Sequence, residues 1–153
     1  MHHMTSSGHN RPPAFIPVGD LLSRLAVSDR PDIAKIAALV TIPPDTRVFF
    51  PGSTVDRIFV HLSGTGMLCE YDHSFEMSFS KPVNPGAIYG VIELLADKGF
   101  SDELRTVSEC EFYMIERTAF IDLLKAEPDI CFELATILAK HLDETVRSVK
   151  ENG

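Results

Sequence analysis

The residues able to do chemistry are few and scattered. His61, Cys69, Glu70 and His73 fall within one stretch of the 153-residue chain and are of metal-ligating type. A tetrahedral metal site needs its donors on one face, and strand alternation sends Cys69 and Glu70 to opposite faces. A cupin-like metal also asks for His-x-His with a nearby Glu, and neither His61 nor His73 has such a neighbour. No metal is expected. Ser63 and Ser101 lie in turns without a Gly-x-Ser-x-Gly elbow, so no nucleophilic catalyst is expected either. No Gly-Lys-Ser/Thr phosphate loop occurs, and Gly64-Thr65-Gly66 reads as a hairpin turn. From Glu93 to Glu103 the acids Glu93, Asp97, Asp102 and Glu103 stand against Lys98 alone. That leaves a net charge of −3, which repels anions.

The whole chain leans the same way. With 22 acids and 14 bases its formal charge is −8, which argues against gripping a nucleic-acid backbone. At 44% hydrophobic and 24% charged residues, the composition is that of a globular domain. There is no 18-residue apolar run and no signal-peptide pattern, so a cytoplasmic protein is expected. Cys69, Cys110 and Cys131 are odd in number and far apart, and read as reduced, packed thiols. His2, His3 and His9 sit in a polar tail and are set aside.

The elements that must position any site follow from periodicity. Residues 1–17, with Pro12, Pro13 and Pro17, read as a flexible lead to a single domain over 18–153. Leu21, Leu22, Leu25 and Val27 predict a short helix. Asp29 as cap and Pro31 in the first turn predict a second, with Ile33, Ile36, Ala37 and Val40 on its apolar face. From about 42 to 115 short apolar runs alternate with Pro-Gly, Ser-Gly and Asn-Pro-Gly turns, the signature of an antiparallel β-roll or jelly roll. Helix returns over about 117–150, first a short one ending near Glu127, then a long one from Pro128. On the long helix Cys131, Leu134, Leu138, Leu142, Thr145 and Val149 follow a near-heptad spacing, which predicts a homodimer seam. The fold class is therefore mainly β with flanking helices.

Three of these segments, in order, resemble a cyclic-nucleotide-binding domain. Pro51 to Gly64 is similar to its first hairpin. Asn84-Pro85-Gly86-Ala87-Ile88-Tyr89-Gly90 resembles its Pro-Gly turn and aromatic-Gly pair. Glu109 to Ile115 resembles the strand before its hinge helix. The likeness runs from about Leu21 to Leu142 and is strongest to the effector domains of Crp/Fnr-type bacterial regulators. In those regulators a DNA-binding domain follows the long helix. The chain stops at Gly153, so it reads either as a piece of such a regulator or as a stand-alone sensor, with no DNA contact of its own.

The resemblance assigns the ligand cassette to Tyr89, Gly90, Val91, Ile92, Glu93, Phe100, Ser101, Asp102 and Arg105. In the family a Glu binds the ribose hydroxyl, and an Arg, with free helix-terminal amides, binds the cyclic phosphate. Here Val91 stands at the Glu position, Phe100 at the Arg position and Asp102 at an Ala position. Glu93 lies two places on, a turn of roughly 200° around a helix. Arg105 reads as an exposed strand residue paired with an acid. Weak or absent cyclic-nucleotide binding is expected, with the pocket apolar or occluded and no cofactor. Any ligand would be neutral, aromatic or cationic. The alternative is a ligand-free structural or dimerisation module that kept the fold.

Overall fold

The computed structural model describes residues 15–17, 35–72, 74 and 76–152. Nine strands and three helices are seen among them. The strands are β1 (Phe15–Pro17), β2 (Ala37–Ile42), β3 (Arg47–Phe49), β4 (Arg57–Ser63), β5 (Gly66–Tyr71), β6 (Met77–Val83), β7 (Ala87–Tyr89), β8 (Asp102–Thr106) and β9 (Cys110–Glu116). The helices are α1 (Val91–Leu95), α2 (Arg117–Ala126) and α3 (Pro128–Asn152).

The strands form two antiparallel sheets, ordered β1-β7-β4-β9-β2 and β3-β8-β5-β6. The buried core includes Phe49, Ile58, Leu68, Ile88, Leu104, Phe112 and Ile115, and strand alternation puts Phe112 and Ile115 on opposite faces of β9. This is the expected β-roll. The turns between strands depend on backbone freedom at two points. Gly64 has φ +85° between β4 and β5, and a Cβ there would run into the Glu109 carbonyl and the Cys110 sulfur. Gly90 has φ +98° between β7 and α1, where a Cβ would sit 3.3 Å from the Arg57 carbonyl oxygen. Left-handed backbone is cheap only for glycine, so both chain reversals are fixed by sequence.

Two expectations at the start of the chain are corrected. Phe15–Pro17 is a strand and not part of a flexible lead. It pairs with β7 in the register Phe15↔Tyr89, Ile16↔Ile88 and Pro17↔Ala87. Three residues carry no readable periodicity, and Pro17 is tolerated because β1 is an edge strand. The apolar positions Ala37 and Val40 lie on β2 and not on a helix. That strand pairs with β9 over six positions, from Ala37↔Ile115 to Ile42↔Cys110. A pairing partner distant in sequence outweighs local apolar spacing. The other residues of that expected helix before Lys35, and the expected helix over Leu21–Val27, lie outside the described residues.

The C-terminal helices fall where periodicity places them. Phe120 and Leu123 of α2, with Ile130 and Leu134 of α3, are buried in the core of the roll. Further along α3 the stripe emerges: Leu138 is half-buried, while Leu142 is 67% and Val149 49% exposed.

Candidate functional site

The cassette begins where β7 runs into α1. Tyr89 is fully buried, and its hydroxyl lies 3.2 Å from His61 Nδ1 on the neighbouring β4. Burial pushes the Tyr89 hydroxyl well above its ordinary range. Gly90 then turns the chain, and the Leu94 amide donates to its carbonyl at 2.9 Å to start α1. Val91, Glu93 and Leu94 face inward, Ile92 is half-buried and Leu95 is exposed.

Glu93 is the buried acid of this helix, at 4% exposure. Its Oε1 has no hydrogen-bond partner among the described residues. Burial, with a further push from Asp102, raises its carboxyl above the ordinary range, against the opposing influence of Lys98. A neutral carboxylic acid is the form such a site favours.

Phe100 occupies the place that the resemblance gives to the phosphate Arg. Two backbone bonds clamp it to the turn after β3. Its amide donates to Ser53 O at 3.0 Å, and its carbonyl accepts from Gly52 N at 2.8 Å. The ring is buried and lies parallel to Phe49, with centroids 3.9 Å apart and planes 10° apart. Phe49 in turn touches Phe59 and Tyr89 at 6.0 Å. The sequence reading missed Phe49. Its signal was an aromatic on the inward side of a strand beside the Pro-Gly turn, visible only once the clamp brings Phe100 to it.

β8 carries the remaining cassette residues. Ser101, just before it, is exposed. Asp102 is buried at 2% exposure and lies in register with Glu70 of β5. Alternation sets Arg105 on the face opposite Asp102. There it pairs with Glu103 at 3.3 Å and Asp45 at 3.2 Å, as an outward strand residue. Arg47 shares Glu103 at 3.5 Å. Tyr89 to Glu93 thus lie at the start of α1 and Phe100 to Arg105 in and before β8, where Asp102 acts on the Glu93 carboxyl, while Arg105 is held by acids on the other side of the strand.

His61 is fully buried. It stacks on Phe112 with centroids 4.9 Å apart, and burial lowers its pKa. No group of three metal-ligating residues converges among the described residues, and His73 lies outside them. Cys69 and Cys110 are buried, with burial pushing both thiols up, whereas Cys131 is exposed on α3 instead of packed. Among the described residues no helix is long and apolar enough to cross a membrane.

Two antiparallel sheets with a Gly-led short helix between β7 and β8 and two helices after β9, the second long, define the class as a helix-flanked β-roll. The family profile described as "Cyclic nucleotide-binding domain" matches residues 39–127, and the chain belongs to that family. Solved structures with the same fold include the Thermus thermophilus catabolite activator protein, at 20% identity and TM-score 0.68. The likeness covers 74% of this chain and 54% of that one. The sensor domain of the transcriptional regulator DNR from Pseudomonas aeruginosa matches at 14% identity and TM-score 0.68, over 83% of this chain and 89% of that one. The regulatory domain of Toxoplasma gondii PKA, solved with cAMP, matches at 14% identity and TM-score 0.63, over 77% and 46%. The chain thus spans about half the length of the catabolite activator protein. No curated protein matches it in sequence.

Proposed function

We propose that this chain is a ligand-sensing regulatory domain of the Crp/Fnr effector type that binds cyclic AMP and cyclic GMP weakly or not at all. It acts in the cytoplasm as a binding module and not as an enzyme, and makes no DNA contact of its own. One observation carries the reading: the position of the phosphate-binding guanidinium holds a buried phenyl ring stacked on Phe49. With Val91 buried at the ribose position and Glu93 and Asp102 buried nearby, the cassette positions offer a cyclic phosphate acid and apolar surface, with Lys98 the base beside Glu93. Arg105 is tied to Glu103 and Asp45.

Loss of two charge-assisted contacts, at roughly 1.5–3 kcal/mol each, weakens binding by several hundred-fold or more. Calorimetry with cyclic AMP and cyclic GMP tests this. Dissociation constants weaker than about 0.1 mM are expected. A low-micromolar constant for either nucleotide overturns the proposal.

A second reading is favoured by the exposed stripe on α3. Leu142, Val146 and Val149 are exposed and give the domain a surface for a second copy. On this reading the domain is a ligand-free dimerisation module with its pocket filled by Phe100. A thermal-shift screen separates the two, because a ligand that binds the folded state alone raises the midpoint.

A further inference from the structure

An open cavity of about 240 Å³ is lined in part by the stacked Phe49 and Phe100 rings. Its walls come from β2, β3, β4, β9 and the turn after β3, and Phe100 is the one cassette residue that lines it. The floor is apolar, with Ile42, Phe49, Phe59, Phe100 and Met114. Phe50 adds an exposed ring to the lining, and the Arg47 guanidinium sits 5.0 Å above that ring.

The charged lining residues are Arg47, Arg57 and Asp56, two bases to one acid in a chain of net charge −8. Arg47 makes a single contact to Glu103 at 3.5 Å with its side chain 51% exposed. Arg57, its side chain 42% exposed, forks onto its chain neighbour Asp56 at 3.2 and 3.4 Å. An exposed single contact such as that of Arg47 exchanges partners at little cost, whereas a ligand carboxylate competes with Asp56 for Arg57. Glu103 keeps Arg105 if Arg47 leaves it.

We propose that this cavity is a binding site for a small amphipathic carboxylate, one aromatic or aliphatic body with a single negative end. The apolar floor takes the body, and Arg47 and Arg57 take the carboxylate. An engineered apolar cavity of about 150 Å³ holds benzene, so this one has room for a ring with a short side arm. Apolar walls with a few convergent polar groups are the usual make-up of small-molecule sites. Through Phe100, whose backbone is clamped to Ser53 and Gly52, an occupant would bear on the cassette loop. The site stands whether or not cyclic nucleotides bind, since neither α1 nor Asp102 lines it.

The test uses the full chain and two probes of one shape, 4-phenylbutyrate and 4-phenylbutylamine, in calorimetry. The carboxylate is expected to bind at least about tenfold tighter than the amine. Arg47→Gln and Arg57→Gln are each expected to weaken it about three- to tenfold, with circular dichroism unchanged. In ¹³C-methyl-labelled protein the Met114 resonance should move on titration while Met77, exposed on the other sheet, stays. The proposal is overturned if 4-phenylbutyrate shows no heat up to about 10 mM, well past a dissociation constant of about 1 mM. Equal affinity for the amine, indifference to both substitutions, or binding without a Met114 shift also overturns it.

Discussion

Phe100 lies flat on Phe49, with ring centroids 3.9 Å and planes 10° apart. One ring comes from the loop before β8 and the other from the end of β3, and the backbone bonds between Phe100 and the Gly52-Ser53 turn hold them in register. The contact ties the end of β3 to the loop that enters its paired neighbour β8 in the same sheet. Phe100 is thereby part of the core.

Removing that ring should therefore cost stability before it changes binding. Phe100→Ala is expected to lose about 3–5 kcal/mol in chemical denaturation, and Phe100→Leu less than about 1.5 kcal/mol. The double change Val91→Glu with Phe100→Arg places two charges in buried sites and should lower the melting temperature. Millimolar cyclic AMP should raise the midpoint more in the double variant than in the parent, because only the double variant gains the two family contacts. An equal rise in the parent protein would sink the argument.

Glu93 gives a prediction about alkaline stability. Its carboxyl is raised by burial, so between its unfolded value near 4.5 and its folded value the native state holds the extra proton. Stability from this group is present below the unfolded value and is lost as pH rises through that window. Glu93→Gln keeps the shape and cannot ionise. It should melt higher than the parent at pH 8, with the gap closing by pH 4. A gap that is constant across pH would show that Glu93 ionises as freely folded as unfolded.

The roll and its C-terminal helices were legible because turn residues and apolar runs are local signals. Asn84-Pro85-Gly86 and Pro128 act on their own neighbours, and the structure puts a turn and a helix start there. Residues 37–40 were misread because Ala37 and Val40 fit a helical spacing as well as a strand, and the deciding partner, β9, lies some seventy residues on. In the cassette the substitutions at Val91 and Phe100 could be read from the order of residues alone. The stack on Phe49 and the contact between His61 and Tyr89 could not, since each depends on which strands become neighbours.

His61 should make the fold acid-sensitive. It is fully buried, with Tyr89 at Nδ1, Phe112 against its ring and no partner for Nε2 among the described residues. Burial lowers its folded pKa below the ordinary 6.5, although the Gly64 and Ser63 backbone act the other way. For a lowered histidine the unfolded state binds the extra proton, so its contribution falls as pH drops below 6.5. Melting curves of the parent and His61→Gln should diverge least near pH 5 and most above pH 7. A difference that stays the same throughout would mean His61 titrates normally in the fold.

The long helix offers a crossed pair of substitutions. Leu134 is 3% exposed and packs into its own chain's core, while Leu142, two turns on, is 67% exposed. If the seam joins two copies beyond the roll, the two leucines must respond differently. Leu134→Ala should cost about 2–5 kcal/mol of folding stability. Leu142→Glu should change monomer stability by less than about 0.5 kcal/mol, because it leaves an exposed position exposed. In a symmetric dimer the same change sets two carboxylates against apolar surface and against each other, so it should dissociate the dimer. Sedimentation equilibrium of both variants against the parent reads the difference. A parent that stays monomeric at its highest soluble concentration, or a dimer that survives Leu142→Glu, would place the exposed stripe outside any contact between copies.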